Sequence, residues 1–145
     1  MTSDPHRVQY GLSTDLFVSR TETDETVVLG GVGEGEQRWV QVMTPRAAQL
    51  LWFKLTQLLY PEKADVVTGL AATAPLRSSD AATITTHMEV VRGNNTLYTL
   101  VGWIFRDTWR VELTEADARR LWAALDVVLF PVGWEGRQSK PRQFN

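Results

Sequence analysis

The chain has 145 residues, 43% of them hydrophobic, with 17 acidic against 15 basic side chains and no cysteine. One domain with its own core is expected at this length, about 68–70% of the unfolded surface being buried on folding. The lack of cysteine excludes disulfides, thiolate metal sites and a cysteine nucleophile, and a formal net charge of −2 argues against a partner made mainly of phosphate, because such binders carry surplus Lys and Arg.

No stretch approaches the roughly 20 apolar residues of a membrane span. The opening MTSDPHRVQYGLS contains no apolar run of the signal-peptide kind, so a soluble, cytoplasmic protein is expected, without contact to a membrane.

Arg7–Leu12 is a first candidate strand. Asp15–Thr21 and Thr26–Gly31 flank the polar run Glu22–Glu25 and read as a second and third. The glycine-rich Gly30–Gly35 invites a phosphate-loop reading and fails it. It lacks the G-x-G-x-x-G spacing and the GK[ST] ending, it leads into a strand, and Glu34 and Glu36 would repel phosphate. A hairpin loop or bulged strand is expected there.

Trp39-x-Gln41-x-Met43 then alternates with the period of a half-buried strand. It stops at Thr44, an N-cap candidate, followed by Pro45 at the first helical position. Ala48, Leu51, Trp52, Leu55 and Leu59 form one helical stripe, and Pro61 closes it. Leu50, Phe53 and Leu58 lie off the stripe. Contact with a strand or another helix is expected of them, a partner or dimer surface being the other reading.

The small-residue stretch 62–82 reads as a linker. Beyond it, Thr83–Arg92 and Thr96–Phe105 flank the turn Gly93-Asn94-Asn95. Arg106-Asp107-Thr108 turns the chain into Trp109-x-Val111-x-Leu113. Thr114-Glu115-Ala116-Asp117 approximates a capping box, and Ala118, Leu121, Trp122, Leu125 and Leu129 repeat the helical stripe up to Pro131. The tail 132–145 has no periodicity.

The segments Trp39–Pro61 and Trp109–Pro131 superimpose at an offset of 70 residues without a gap, with eight of 23 positions identical. Identity at Trp39/Trp109, Thr44/Thr114, Trp52/Trp122 and Pro61/Pro131 repeats a packing pattern. The sequence therefore predicts an α+β domain over 1–145, an internal duplication of a three- to four-stranded antiparallel sheet followed by one helix. The first unit spans about 7–61 and the second about 83–131. A lone unit leaves a sheet face and a helix stripe uncovered, so the two copies are expected to cover each other about a pseudo-twofold axis. Trp52 and Trp122 are expected to be equivalent core residues.

A strand-rich half ending in Trp39–Thr44 or Trp109–Thr114, followed by an amphipathic helix and used twice, resembles the fold of the PC4/Whirly group of single-stranded-DNA-binding proteins. Small cyanobacterial proteins of unknown function are similar in fold and size. The resemblance implies that fold and suggests single-stranded nucleic acid as a ligand. The lysine-rich DNA-contact motif of the Whirly group is absent, so it transfers no binding residue.

The two histidines, His6 and His87, have no metal-like spacing, and no nucleophile-elbow or paired-carboxylate signal points to catalysis. Asn94-Asn95-Thr96 is a turn. The most informative strand is Thr96–Phe105, apolar on both parities: Leu97, Val101, Trp103 and Phe105 on one, Tyr98, Leu100 and Ile104 on the other. Burial on both sides is expected, or else one face meets a partner. In the partner reading the contact set is Arg92, Tyr98, Trp103, Phe105, Arg106 and Arg110. Its aromatics and arginines suit base stacking or a protein hot spot. The expected function is a non-enzymatic binding module with a protein-interaction, assembly or regulatory role, acting on a protein partner or by self-association. The alternative is single-stranded nucleic-acid binding. No cofactor or metal is expected. Gly30–Gly35 stands where the second copy has Trp103 and Phe105, so binding is expected to be stronger at the second copy.

Overall fold

The computed structural model describes residues 7–21, 26–63, 84–93 and 95–130. The elements are β1 (Arg7–Leu12), β2 (Thr14–Arg20), β3 (Val27–Val32), β4 (Arg38–Met43), α1 (Pro45–Leu59), β5 (His87–Arg92), β6 (Tyr98–Ile104), β7 (Asp107–Leu113) and α2 (Glu115–Leu129). They form an α+β structure of two sheets and two helices. One sheet has the order β1-β7-β6-β5 and the other β2-β3-β4. His6, the linker beyond Lys63 as far as residue 83, and the tail from Pro131 lie outside the described residues.

The first strand departs from expectation. Arg7–Leu12 does not extend the antiparallel β2-β3-β4 sheet; it runs parallel to β7 at the edge of the other one. A bulge between Gln9 and Gly11, with Gly11 at φ 78, bends the strand, as an extra bulge residue in the left-handed region does. At Ser13 the chain passes from one sheet to the other. The Ser13 N–H donates to the Glu112 carbonyl at 2.9 Å, and its hydroxyl accepts from Trp39 Nε1 at 3.0 Å. Thr85 makes a matching crossing ahead of β5. Its N–H donates to the Val42 carbonyl at 2.8 Å, its carbonyl accepts from Thr44 N–H at 3.0 Å, and its hydroxyl accepts from Trp109 Nε1 at 2.9 Å. Each sheet is thus held by a short segment of the other half of the chain, and each buried indole N–H is satisfied.

The helices form as their end signals require. Thr44 Oγ1 accepts from Ala47 N–H at 3.1 Å and Thr114 Oγ1 from Asp117 N–H at 3.2 Å, satisfying donors that the first turn leaves orphaned. α1 packs on β5, α2 on β2, and the helices on each other. Ala48, Leu51, Trp52 and Leu55 on α1 are fully buried, as are Ala118 and Leu125 on α2. Trp122 is not the core equivalent of Trp52. It is only partly buried, its ring tilted at 57° against Tyr60 with centroids 4.7 Å apart and Lys63 Nζ 5.2 Å from its centre.

Between the sheets, Tyr10 stacks on Trp39 at 4.9 Å, and Trp39 lies 5.9 Å from Trp109. Large rings fit here because glycine faces them. Gly102 is the cross-strand partner of Trp109, and a Cβ on it would stand 2.1 Å from the indole. Gly31 holds the same place opposite Trp39. These pairings set β6 one residue away from the 70-residue offset. The extra residue lies in the turn between Val32 and Arg38, which contains a 3-10 turn at Glu34–Glu36. Val32, not a glycine, therefore occupies the place that Trp103 has in β6, and Gly30 and Gly31 are regular β3 residues rather than a loop.

Candidate binding surface

The core face of β6 carries Tyr98, Leu100 and Gly102. Its other face carries Thr99, Val101 and Trp103 and leads into Phe105. Cross-strand pairing places this face in rows: His87, Trp103 and Thr108; then Glu89, Val101, Arg110 and Gln9; then Val91, Thr99 and Glu112. Val101 is buried by its neighbours, but Trp103 is 39% exposed, Val91 55% and Phe105 72%. Burial on both sides, expected for this strand, therefore fails at its end, where Trp103 projects from an open sheet face and Phe105 stands exposed in the turn that follows.

The six expected contact residues divide accordingly. Trp103, Phe105 and Arg106 lie at the exposed end of β6, whereas Arg110 sits one row further along β7, opposite Val101. Tyr98 does not join them; it is 2% exposed and belongs to the core, because position 98 shares the parity of Leu100. Arg92 is exposed at the other end of the strand pair, its guanidinium 5.7 Å from the Tyr98 ring centre. Phe105 occupies the turn into β7 at φ 58, and the Arg106 guanidinium lies 5.7 Å from its ring centre.

The charge on this face has mixed sign. Lys54 on α1 donates to Glu89 at 2.9 Å and His87 lies 2.7 Å from its other oxygen. The Lys54 bond first, and the His87 bond second, hold the Glu89 carboxyl below the usual glutamate range. Arg110 shares a polar hollow of about 310 Å³ with Gln9, Gly11, Thr99, Glu34 and Glu112. Among the described residues no group of His, Cys, Asp and Glu could hold a metal ion, and no helix is long and apolar enough to cross a membrane.

Sequence reasoning missed a second surface, the outer face of β2-β3-β4. Phe17 is 45% and Val40 55% exposed there, around a hollow of about 420 Å³ that Asp15, Val32 and Arg38 also line. The signal was present: Val40 and Val42 fall on the parity opposite Trp39 and Met43, so β4 is apolar on both faces. Comparison with family models, curated proteins and solved structures finds no match to this chain.

Proposed function

We propose that the chain is a non-enzymatic binding module with an assembly or regulatory role, which presents Trp103 and Phe105 to a protein partner. The observation that carries this reading is Phe105. A left-handed backbone costs an ordinary residue about 1–2 kcal/mol, and a ring 72% exposed returns little of that through burial. A bulky residue kept in such a position is a candidate for function rather than stability. Arg106, whose guanidinium lies over its ring, and Trp103, exposed two residues earlier, complete a set of the residue types that dominate protein hot spots. Carboxylates at Glu89, Glu112 and Glu34 interleave with the arginines, which suits a protein surface of mixed charge better than a phosphodiester chain.

The scaffold supports a pseudo-twofold duplication. The pairs Trp39–Ser13 and Trp109–Thr85, Trp52–Asp126 and Trp122–Thr56, and Trp52–Phe130 and Trp122–Tyr60 repeat one another across the two halves. In this reading only the second half carries exposed aromatics at the end of its central strand, so binding is one-sided. Single-stranded nucleic acid is the second reading, favoured by Arg106 over the Phe105 ring and by the resemblance to the PC4/Whirly group.

The test compares immobilised wild type with a Trp103→Ser/Phe105→Asn variant and with Val127→Ser, an exposed control on α2. Proteins held by the wild type and the control but lost from the double variant support the reading. Equal retention on all three overturns it. Salt-sensitive quenching of tryptophan fluorescence by single-stranded oligonucleotides would move the assignment to nucleic acid, since neutralised phosphates release counterions.

A further inference from the structure

We infer that the outer face of β2-β3-β4 pairs with the same face of a second copy of this chain, about a two-fold axis running along β3. This surface is separate from the Trp103 face. Its rows are fixed by register: Phe17, Gly30 and Val40 in one, Ser19, Val28 and Val42 in the next, and Thr14, Val32 and Arg38 at the end, with Asp15 displaced by the bulge between Thr14 and Phe17. The Phe17 ring lies over Gly30, where a Cβ would meet it at 2.5 Å, so a flat apolar strip crosses the sheet from Phe17 to Val40. At the Val32 end Asp15 stands on one side and Arg38 on the other, both lining the same hollow. Among the described residues neither has an ion-pair partner within the chain.

This arrangement complements itself. A two-fold along the central strand exchanges the positions of β2 and β4 while keeping height along the strands. Phe17 of one copy then faces Val40 of the other, and Asp15 faces Arg38, each contact occurring twice, as an isologous interface requires. Two open sheets meeting in this way adopt the aligned face-to-face packing of β-sandwiches. The row of the other sheet that takes the same place relative to its glycine–tryptophan pair holds Glu89, Val101 and Arg110 in place of Phe17, Gly30 and Val40. That row offers charge where the strip needs apolar contact, so a second copy is expected to dock through its β2-β3-β4 face and not through the Trp103 face.

Sedimentation of the full chain over a concentration series tests this. The wild type is expected to form a reversible dimer of the 16.4 kDa chain. Val40→Lys, at a position already exposed, should raise the dimer Kd at least ~10-fold, as loss of a central contact does. Arg38→Asp alone and Asp15→Lys alone should each weaken the dimer by placing like charges opposite each other. The double variant Asp15→Lys/Arg38→Asp should restore it, which a misfolded protein could not do. A wild type that stays monomeric, a dimer indifferent to Val40→Lys, or a double variant no tighter than the singles overturns the inference. The Trp103→Ser/Phe105→Asn variant should dimerise like the wild type, which keeps this result distinct from the fate of the Trp103 face.

Discussion

Trp52 on α1 donates its indole N–H to Asp126 on α2 across 3.2 Å, and 70 positions further on Trp122 donates back to Thr56 on α1 at 2.8 Å. The two bonds cross between the helices, yet the rings are not equally buried. Trp52 is fully enclosed beside Phe130, whereas Trp122 is partly exposed beside Tyr60. Trp52→Ala should therefore destabilise by about 3–5 kcal/mol, the range for deletion of a buried large aromatic. Trp122→Ala should cost less, about 1–3 kcal/mol, because its ring is only partly buried and so loses less apolar burial on truncation. Urea denaturation of the two variants gives the comparison. Equal costs would mean that the helix pair buries both rings alike.

Gly102 offers a stricter test of the space between the sheets. A methyl group there would meet the Trp109 indole, which cannot swing aside without losing its bond to Thr85. Gly102→Ala should cost about 1–3 kcal/mol, as overpacking does. Thr85→Val, which strands the buried indole N–H, should cost about 1–3 kcal/mol through desolvation. The two substitutions disturb one ring, so their costs should not add when measured by denaturation in the double variant.

What the sequence makes legible here is local. The Thr44 and Thr114 caps, the helical stripes and the period-two strands depend on neighbours a few residues apart, and the structure places them where that chemistry predicts. The strand exchange at Ser13 and Thr85 depends on which sheet edge lies open when the halves meet, and no short-range pattern encodes it. The inequality of Trp52 and Trp122 has the same origin: identical local stripes meet different surroundings. On the candidate surface, parity alone pairs Trp103 with Phe105 and sets Tyr98 with Leu100 on the other face; the sequence leaves open which of the two faces is core, because both are apolar. The exposed Phe17–Val40 strip was hidden because apolar residues on both parities read equally well as a covered strand.

Phe105 should be dispensable for folding. Asparagine tolerates the left-handed region far better than phenylalanine, and the ring contributes little burial at 72% exposure. Phe105→Asn should leave stability within about 0.5 kcal/mol of the wild type or raise it. Thermal melting decides. A loss beyond about 1 kcal/mol would make Phe105 a structural residue and remove the main support for the binding face.

Acidification should expose the Lys54–Glu89–His87 cluster. The carboxyl of Glu89 is held below its usual pKa, chiefly by Lys54, so the folded state binds its proton less readily than the unfolded state. The resulting stability is fully present above the unfolded glutamate value of about 4.3 and is lost as pH falls through the lower folded value. The Glu89 side chain is 43% exposed, so solvent screening limits the effect to about 1 kcal/mol or less. Denaturation of the wild type and Glu89→Gln as a function of pH should show a difference near neutrality that shrinks below about pH 4.3. The same comparison in high salt should shrink the difference at neutral pH as well, because exposed ion pairs are screened. A difference unchanged by both acid and salt would mean that Glu89 stabilises β5 through packing of its side chain rather than through its charge.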